Sequence, residues 1–285
     1  MTDQAIVKKI SDAVVRAGSG FTEDKLWAYE KSIAEETDSR SAWMMDTIVQ
    51  NIKCAQENRS PLCDDTGIPH VVIEVGKNRD LSGDILESIY EGIAEGLNEL
   101  PGRPMAVLGE DKQRIEQSIG LNPQSDGVVP PPFSVIMSED DPDLLRVHIL
   151  MQGGGPEIRA KTYRVFHKHD MDTVMNEIIS WGKESVAQLG CSPCTIAVGI
   201  GRSHYEASSL MLQAMIKGDC RIQSEYEQKI TDALNETNVG PLGLGGKTSV
   251  LATFMKIGEQ RASGVRIVCM RPCCCFEPRR AFADL

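Results

Sequence analysis

The sequence predicts an α/β mixed (α+β) fold, with mixed β-sheets flanked by helices and a helical N-terminal segment. Three observations carry this. The first sixty residues keep apolar positions at helical spacing. Further on, short apolar runs bounded by Gly and Pro read as strands. Strands and helices then intersperse without a strict βαβ alternation, which favours a mixed sheet with helices packed around it. At roughly 100–200 residues per domain, the 285 residues allow one large domain or two smaller ones. The reading adopted is a single domain over 1–285, with 1–60 as its helical segment.

The elements follow in order. Ile6, Ile10 and Val14 line one helical face, and Trp43, Met44, Ile48 and Ile52 line another. Arg59-Ser60-Pro61 breaks the pattern, and CDDTGIP (63–69) reads as a loop. PHVVIEVG (69–76) is strand-like and precedes a helix near Ser82 to Leu97. Residues 101–132 are irregular and rich in Gly and Pro. FSVIM (133–137) and LLRVHILM (144–151) read as a pair of strands, followed by the glycine loop QGGGPE (152–157). Asp170 is expected to cap a helix running to about Gln188. CTIAVGIG (194–201) has the apolar continuity of a buried strand. Helices are expected near 204–217 and 224–236, the second opened by a capping box of Ser224 and Glu227. NVGPLGLGGKT (238–248) is a second glycine-rich loop, and SVLATFM (249–255) and VRIVCM (265–270) are strand candidates.

Composition excludes several classes. Thirty Lys+Arg against 41 Asp+Glu give a net charge of −11, which argues against nucleic-acid binding, since phosphate neutralisation needs clustered cations. No apolar run approaches the roughly 18 residues of a membrane helix. MTDQAIVKKISDAVV lacks the apolar stretch and cleavage site of a secretory signal, so a cytoplasmic location is expected. The nine cysteines are then an odd number in a large chain of a reducing compartment, which disfavours a disulfide framework. Packing as small hydrophobes accounts for Cys54, Cys220 and Cys269. It accounts less well for Cys63, Cys191 and Cys273 to Cys275, which sit among Asp, Gly, Pro and Arg, where no packed apolar core is expected.

Standard motifs fail. GLGGKT lacks the phosphate-loop pattern because Pro241 stands where the first Gly belongs. Gly199-Ile200-Gly201 is followed by His204 where a dinucleotide fingerprint needs Gly. Cys191-Ser-Pro-Cys194 alone could mean zinc or a redox pair, and a zinc deaminase needs its elements in the opposite order to Cys194 and His204-Tyr-Glu206. What is left is three cysteine-bearing loops that also carry groups suited to an anionic substrate. Iron–sulfur clusters usually take four thiolates. Three loops giving one thiolate each would leave one iron open as a Lewis acid, suited to removing water from a 2-hydroxy acid. Glycine loops let backbone N–H groups approach carboxylates.

Five motifs in order then resemble one family. Pro61-Leu62-Cys63-Asp64-Asp65-Thr66-Gly67 resembles the P-x-C-Q-D-T-G of class I (iron–sulfur) fumarases and L(+)-tartrate dehydratases. Gln152 to Glu157 resembles their K-G-G-G-S-E, and Cys191-Ser-Pro with Val198 to Gly201 resembles C-P-P-x-x-x-G-V-G-I-G. Asn238 to Thr248 resembles N-I-G-P-x-G-L-G-G-K-T, and Cys275 to Ala281 resembles C-x-x-x-R-R-A. The resemblance implies the α subunit, or N-terminal domain, of this hydro-lyase family. It implies a [4Fe–4S] cluster on Cys63, Cys191 and Cys275, with Cys194, Cys273 and Cys274 as packing residues or alternative ligands. It further implies catalytic roles for Asp65 and Lys247, and substrate contacts from Asp64, Arg103, Gly153, Gly154, Gly155 and Arg279. For Arg103, Lys247, Arg279 and Arg280, surface, loop-ordering or ion-pair roles are the competing readings. The implied partners are a small dicarboxylate substrate and a separate β subunit carrying the missing C-terminal domain and the catalytic base, in a hetero-oligomer with no nucleic acid and no membrane.

Three departures bear on the substrate. The family Gln is Asp64 here, which when ionised accepts but cannot donate, and two adjacent acids would repel a dianion. The family Lys before the triple glycine is Gln152, and C-P-P has become C-S-P. The readings that compete are the hydro-lyase, a non-enzymatic zinc or redox module, and a paralogue with the same cluster and a changed substrate.

Overall fold

The structure is a computed structural model that describes residues 2–285. Along the chain run α1 (Gln4–Ser19), α2 (Glu23–Glu35), α3 (Ser39–Glu57), β1 (Ile68–Val75), α4 (Gly83–Glu99), α5 (Asp111–Glu116), β2 (Ser134–Met137), β3 (Leu145–Gln152), α6 (Gly154–Glu157), β4 (Lys161–Phe166), α7 (Met171–Leu189), β5 (Cys194–Gly201), α8 (His204–Lys217), α9 (Glu225–Asn235), β6 (Val250–Ile257), β7 (Val265–Cys273) and β8 (Arg279–Asp284). The mixed α/β class expected from the sequence is borne out. The helix starts are set by caps: Asp3, Ser82, Asp170 and Ser203 each accept backbone N–H groups of the first turn, and Ser224 with Glu227 forms the full capping box. Among the described residues no helix is long and apolar enough to cross a membrane.

The chain divides into two compact units. The first comprises the residues up to Gly20, 52–153 and 279–285. Its sheet has the order β2-β1-β3-β8, with β1 and β2 parallel and the other pairs antiparallel. Helices α1 and α4 pack together, and Ile10, Val14, Ile89 and Ile93 meet Ile73, Val147 and Ile149 of the sheet in one core. The second unit comprises 21–51 and 154–278. Its sheet has the order β4-β7-β5-β6, with β5 and β6 parallel. Residues of α7 and α9 share a core with β5, through Ile178, Ile230, Ile196 and Val198. Helix α8 lies against β5 so closely that a Cβ on Gly199 would fall 2.0 Å from the carbonyl of Ala207. All eight residues of β5 are buried, as its apolar run requires.

Several expectations are corrected. FSVIM and LLRVHILM do not pair: β2 lies parallel to β1, and β3 sits between β1 and β8. Strands β4 and β8 were not expected, because their charged residues, Lys161 and Arg164 in one and Arg279, Arg280 and Asp284 in the other, mask the alternation. Residues 101–132 contain α5 and a single turn at Ser125–Gly127. In α3 the buried face is Met45, Ile48, Val49 and Ile52, with Trp43 exposed, a stripe rotated by one or two positions. Cys54 is exposed rather than core filler, whereas Cys273, Cys274 and Cys275 are buried.

The contact of α1 with α4 depends on glycine. A Cβ on Gly92 would lie 2.6 Å from the Val7 carbonyl and 2.7 Å from Ile10 Cβ. Gly92→Ala gains about 1 kcal/mol of helix propensity but overpacks against backbone, which costs about 1–3 kcal/mol. Net destabilisation is therefore expected in a urea melt, and a stabilised variant would contradict this packing.

Candidate functional site

In the first unit, the loop from Leu62 to Gly67 joins α3 to β1. The Leu62 N–H donates to Gly18 O at 3.0 Å, and Thr66 Oγ1 donates to Cys63 O at 2.6 Å, closing the turn. Gly67 has φ +104°, and a Cβ there would lie 2.0 Å from Gln152 O. The loop can therefore run against the end of β3 only without a side chain. Gly153 is similarly confined: a Cβ would meet Asp65 Oδ2 at 2.8 Å and Arg279 Nη2 at 3.0 Å. Arg279 opens β8 and is 1 % exposed. Its Nε donates to Met151 O at 3.0 Å, and its Nη1 donates to Cys63 Sγ at 3.3 Å. A charged donor on sulfur suits a sulfur that carries negative charge. Arg103 Nη1 lies 3.2 Å from Asp64 Oδ2, and its Nη2 lies 3.9 Å from Asp65 Oδ1. One guanidinium therefore faces both of the adjacent acids. The structure brings together Cys63, Asp64, Asp65, Arg103, Gly153 and Arg279.

The second unit holds Gly154, Gly155, Cys191, Lys247 and Cys275. Cys191 follows Gly190, which ends α7 at φ +76°, and is exposed. Ser192 Oγ donates to Gly240 O, and the Leu242 N–H donates to Ser192 O at 2.9 Å. The second glycine loop is thereby laid on the Cys191 turn. Gly240 has φ +67°, and a Cβ there would lie 1.6 Å from Gly245 O, so the loop closes on itself only with glycine. Cys275 is 3 % exposed. Its N–H donates to Cys191 O at 2.7 Å, and its carbonyl accepts from Tyr29 Oη at 2.8 Å. Hydrogen bonding with Cys274, then burial, pushes the Cys275 thiol well up. Burial likewise pushes Cys273 up to about 11. Gly154 and Gly155 open α6, where a side chain on Gly155 would meet nothing within 4 Å. None of the nine cysteines is in a disulfide. Among the described residues no group of three or more His, Cys, Asp and Glu side chains is gathered to hold a single metal ion.

Supporting residues escaped the sequence reading. Arg271 and Glu277 are each 0 % exposed and form a buried ion pair, and Glu157 lies 3.1 Å from Arg271 Nε. Lys25 donates from Nζ to Glu277 O, and Thr195 Oγ1 donates to the same carbonyl at 3.2 Å. The available signal was an Arg inside the apolar run VRIVCMRPC: a charge in a central strand needs a partner. No such signal marks Lys25, Tyr29 or Glu36.

Glu36 orders the end of the second glycine loop. Its Oε2 accepts the Lys247 N–H at 2.8 Å, while Lys247 Nζ donates to Glu35 O at 3.2 Å. Burial pushes the Glu36 carboxyl up, but backbone N–H groups of Asp38, Lys247, Thr37 and Thr248 outweigh it and hold it below the ordinary 4.5. The folded value being the lower, the ordering is complete above pH 4.5 and is lost as the pH falls through the folded value. Glu36→Gln is expected to lower the exchange protection of the Lys247 and Thr248 amides about threefold to tenfold at neutral pH. Protection that is equal in the two chains would refute this.

Comparison with known proteins agrees with these motifs. The family model described as fumarate hydratase (Fumerase) matches residues 7–284. The chain is 27 % identical over 289 aligned positions to a putative L(+)-tartrate dehydratase subunit alpha of Methanocaldococcus jannaschii, covering 96 % of each. It is 24 % identical to the L(+)-tartrate dehydratase subunit alpha of Escherichia coli K12, over 84 % of this chain and 77 % of that one. It is 27 % identical to a putative fumarate hydratase class I of Geobacillus stearothermophilus, over 76 % of this chain and 43 % of that one. With its glycine loops and cysteine turns falling inside a match that runs almost from end to end, the chain belongs to the fumarate hydratase (Fumerase) family and is a hydro-lyase.

Proposed function

We propose that this chain is the α-type subunit of an iron–sulfur hydro-lyase acting on a small dicarboxylic 2-hydroxy acid of the fumarate/malate or tartrate kind. In this reading Cys63, Cys191 and Cys275 hold a [4Fe–4S] cluster, which when bound supplies an open iron as a Lewis acid. The donor set fits such a group. All three lie on loops and outside any disulfide, and their sulfurs are soft ligands suited to iron and sulfide. The hydrogen bond from Cys275 N–H to Cys191 O is the observation that carries the reading, because it fixes two of the cysteine backbones against each other. Arg279, donating to Cys63 Sγ, supplies positive charge where a thiolate is required. The raised Cys275 thiol must lose its proton on ligation.

The other residues act on the substrate. Arg103 and Arg279 offer guanidinium groups to carboxylates. The Gly153–Gly155 backbone leaves room for close approach, and Asp65 and Lys247 are the proposed catalytic groups. Asp64 accepts a hydrogen bond from a hydroxyl, as a tartrate-like substrate would provide. A base and further arginines come from a separate β-type chain in a hetero-oligomer, a reading supported by the names of the relatives above. The working compartment is cytoplasmic, where thiols stay reduced. A paralogue with the same cluster and a changed substrate is the second reading, favoured by Asp64 and Gln152 standing where the resemblance expects Gln and Lys.

Anaerobic reconstitution should give about four irons and four sulfides per chain, lost in Cys63→Ser. Zinc without sulfide would instead support a non-enzymatic module, and activity stable in air would count against an open iron. With the β-type chain present, kcat/KM is compared for fumarate, tartrate and mesaconate. A clear preference for fumarate would sink the role given to Asp64. Arg103→Ala is expected to lower kcat/KM about tenfold to a hundredfold, the equivalent of one charge-assisted hydrogen bond.

A further inference from the structure

In the second unit, the inward row of β7 ends in a charge. Met270 and Val268 are buried in the core that α7 shares with the sheet. Side chains alternate along a strand, so Arg266 is the next residue on that face. Val165, its partner on β4, belongs to the same core. A cation at the end of an apolar row needs acceptors. Arg266 Nη1 donates to the carbonyls of Ser263 and Val265, both at 3.1 Å. Among the described residues nothing accepts from its Nε or Nη2.

Arg266 lines a cavity of about 400 Å³ together with Met171, Val174, Ile200 and Ile257. That volume lies in the range of small-molecule sites, roughly 300–1,000 Å³. The cavity is built by the chain itself. At its rim Lys168 and His169 have φ +50° and +57°, a conformation disfavoured for residues with a Cβ. The buried His167 ring holds them there: its Nδ1 accepts the His169 N–H at 2.9 Å, and its Nε2 donates to Ser263 O at 2.7 Å. An amide N–H only donates and a carbonyl only accepts, so these partners fix the ring proton on Nε2. One imidazole thus ties the start of α7 to the turn before β7. Ile200 stands at the far end of β5 from the Cys191 turn. At about 3.3 Å per residue, the strand separates that turn from the cavity by roughly 20 Å.

We propose that this cavity is a separate binding site for a small amphipathic monocarboxylate. Arg266 takes the carboxylate through Nε and Nη2, the edge suited to bidentate pairing. The apolar body lies on Val174, Ile200 and Ile257. A dicarboxylate of the substrate kind fits poorly, because its second carboxylate would meet either the apolar wall or Asp170. The Asp170 carboxylate already caps α7, accepting from the Asp172 N–H at 3.1 Å and from Thr173 Oγ1 at 3.0 Å. The inference uses none of the cysteines and is independent of the cluster reading.

The test titrates octanoate into the full chain by isothermal calorimetry. Octanol and succinate are the companion probes, one lacking the charge and the other the apolar body. Octanoate should bind at least about tenfold more tightly than either. Arg266→Gln should weaken octanoate about tenfold to a hundredfold and leave octanol unchanged. Hydrogen exchange locates the ligand: octanoate should raise protection at 166–174 and 257–266 and leave 62–67 and 152–155 as they were. Octanol or succinate binding as tightly as octanoate, no binding of octanoate at millimolar concentration, or protection gained at 62–67 instead would each overturn the inference. So would an octanoate affinity that Arg266→Gln leaves unmoved. If Arg266→Gln does not fold, Ile257→Glu decides in its place. Ile257 is 48 % exposed at the end of β6, and a carboxylate there should repel octanoate; a wild-type affinity in that variant refutes the site.

Discussion

A buried charge that cannot be left unpaired organises the second unit. Arg271 stands on β7, between β4 and β5, with no exposed surface. Leaving such a guanidinium without its carboxylate would cost about 3–5 kcal/mol, a large share of the stability of any domain. The chain after β7 must therefore return Glu277 to it, which constrains the turn that contains Cys275. Glu157, at the end of the triple-glycine turn, reaches the same guanidinium. One arginine thus registers two of the motif-bearing loops against one strand. Hydrogen bonds from Lys25 and Thr195 to the Glu277 carbonyl then fix the backbone that the ion pair has brought in.

The first unit solves a similar problem with a different device. Arg279 is also buried, but its donors go to a carbonyl and to sulfur, Met151 O and Cys63 Sγ. The close approach this needs is provided by two glycines. Gly67 and Gly153 each stand where a Cβ would collide with backbone or with a charged side chain. Here the glycines are a geometric requirement of the site, and their spacing from Cys63 and Arg279 explains why the motif mixes such different residue types.

The motif residues were legible because each type has a narrow use. Cys among Asp and Gly, triple glycine, and a glycine-rich loop ending in Lys are poor building material for a core. Helices were legible through their caps, as Ser224 and Glu227 illustrate. What was hidden is the support. Tyr29 and Lys25 look like ordinary members of an amphipathic helix, and the contact that gives them meaning joins positions about 250 residues apart. Strand β8 was hidden for a related reason. Arg279 turns its donors to Met151 O and Cys63 Sγ and the strand does not alternate cleanly, so Arg279 and Arg280 read as a charged tail to a motif. Cys273 and Cys274 misled in the opposite sense, since polar neighbours in sequence do not prevent burial when those neighbours are themselves paired.

The pair of adjacent acids shows how a departure can be read once geometry is present. Asp64 and Asp65 together would repel a dianion, yet Arg103 faces both, and its contact with Asp64 is a solvent-accessible one, with side chains 53 % and 77 % exposed. Pairs of that kind are worth about 0–1 kcal/mol. In the proposed reading, exchanging the Asp64 carboxylate for a substrate carboxylate on Arg103 therefore gives up only that weak contact. In that reading Asp64, once released, stands as an acceptor beside the substrate, a position the amide of a Gln could fill only with a mixed donor and acceptor. An acceptor there does nothing for a substrate bare of hydroxyls and favours one that carries an additional hydroxyl. In the proposed reaction, then, the change to Asp keeps the arginine available through a weak contact and transfers discrimination to the group that leaves it.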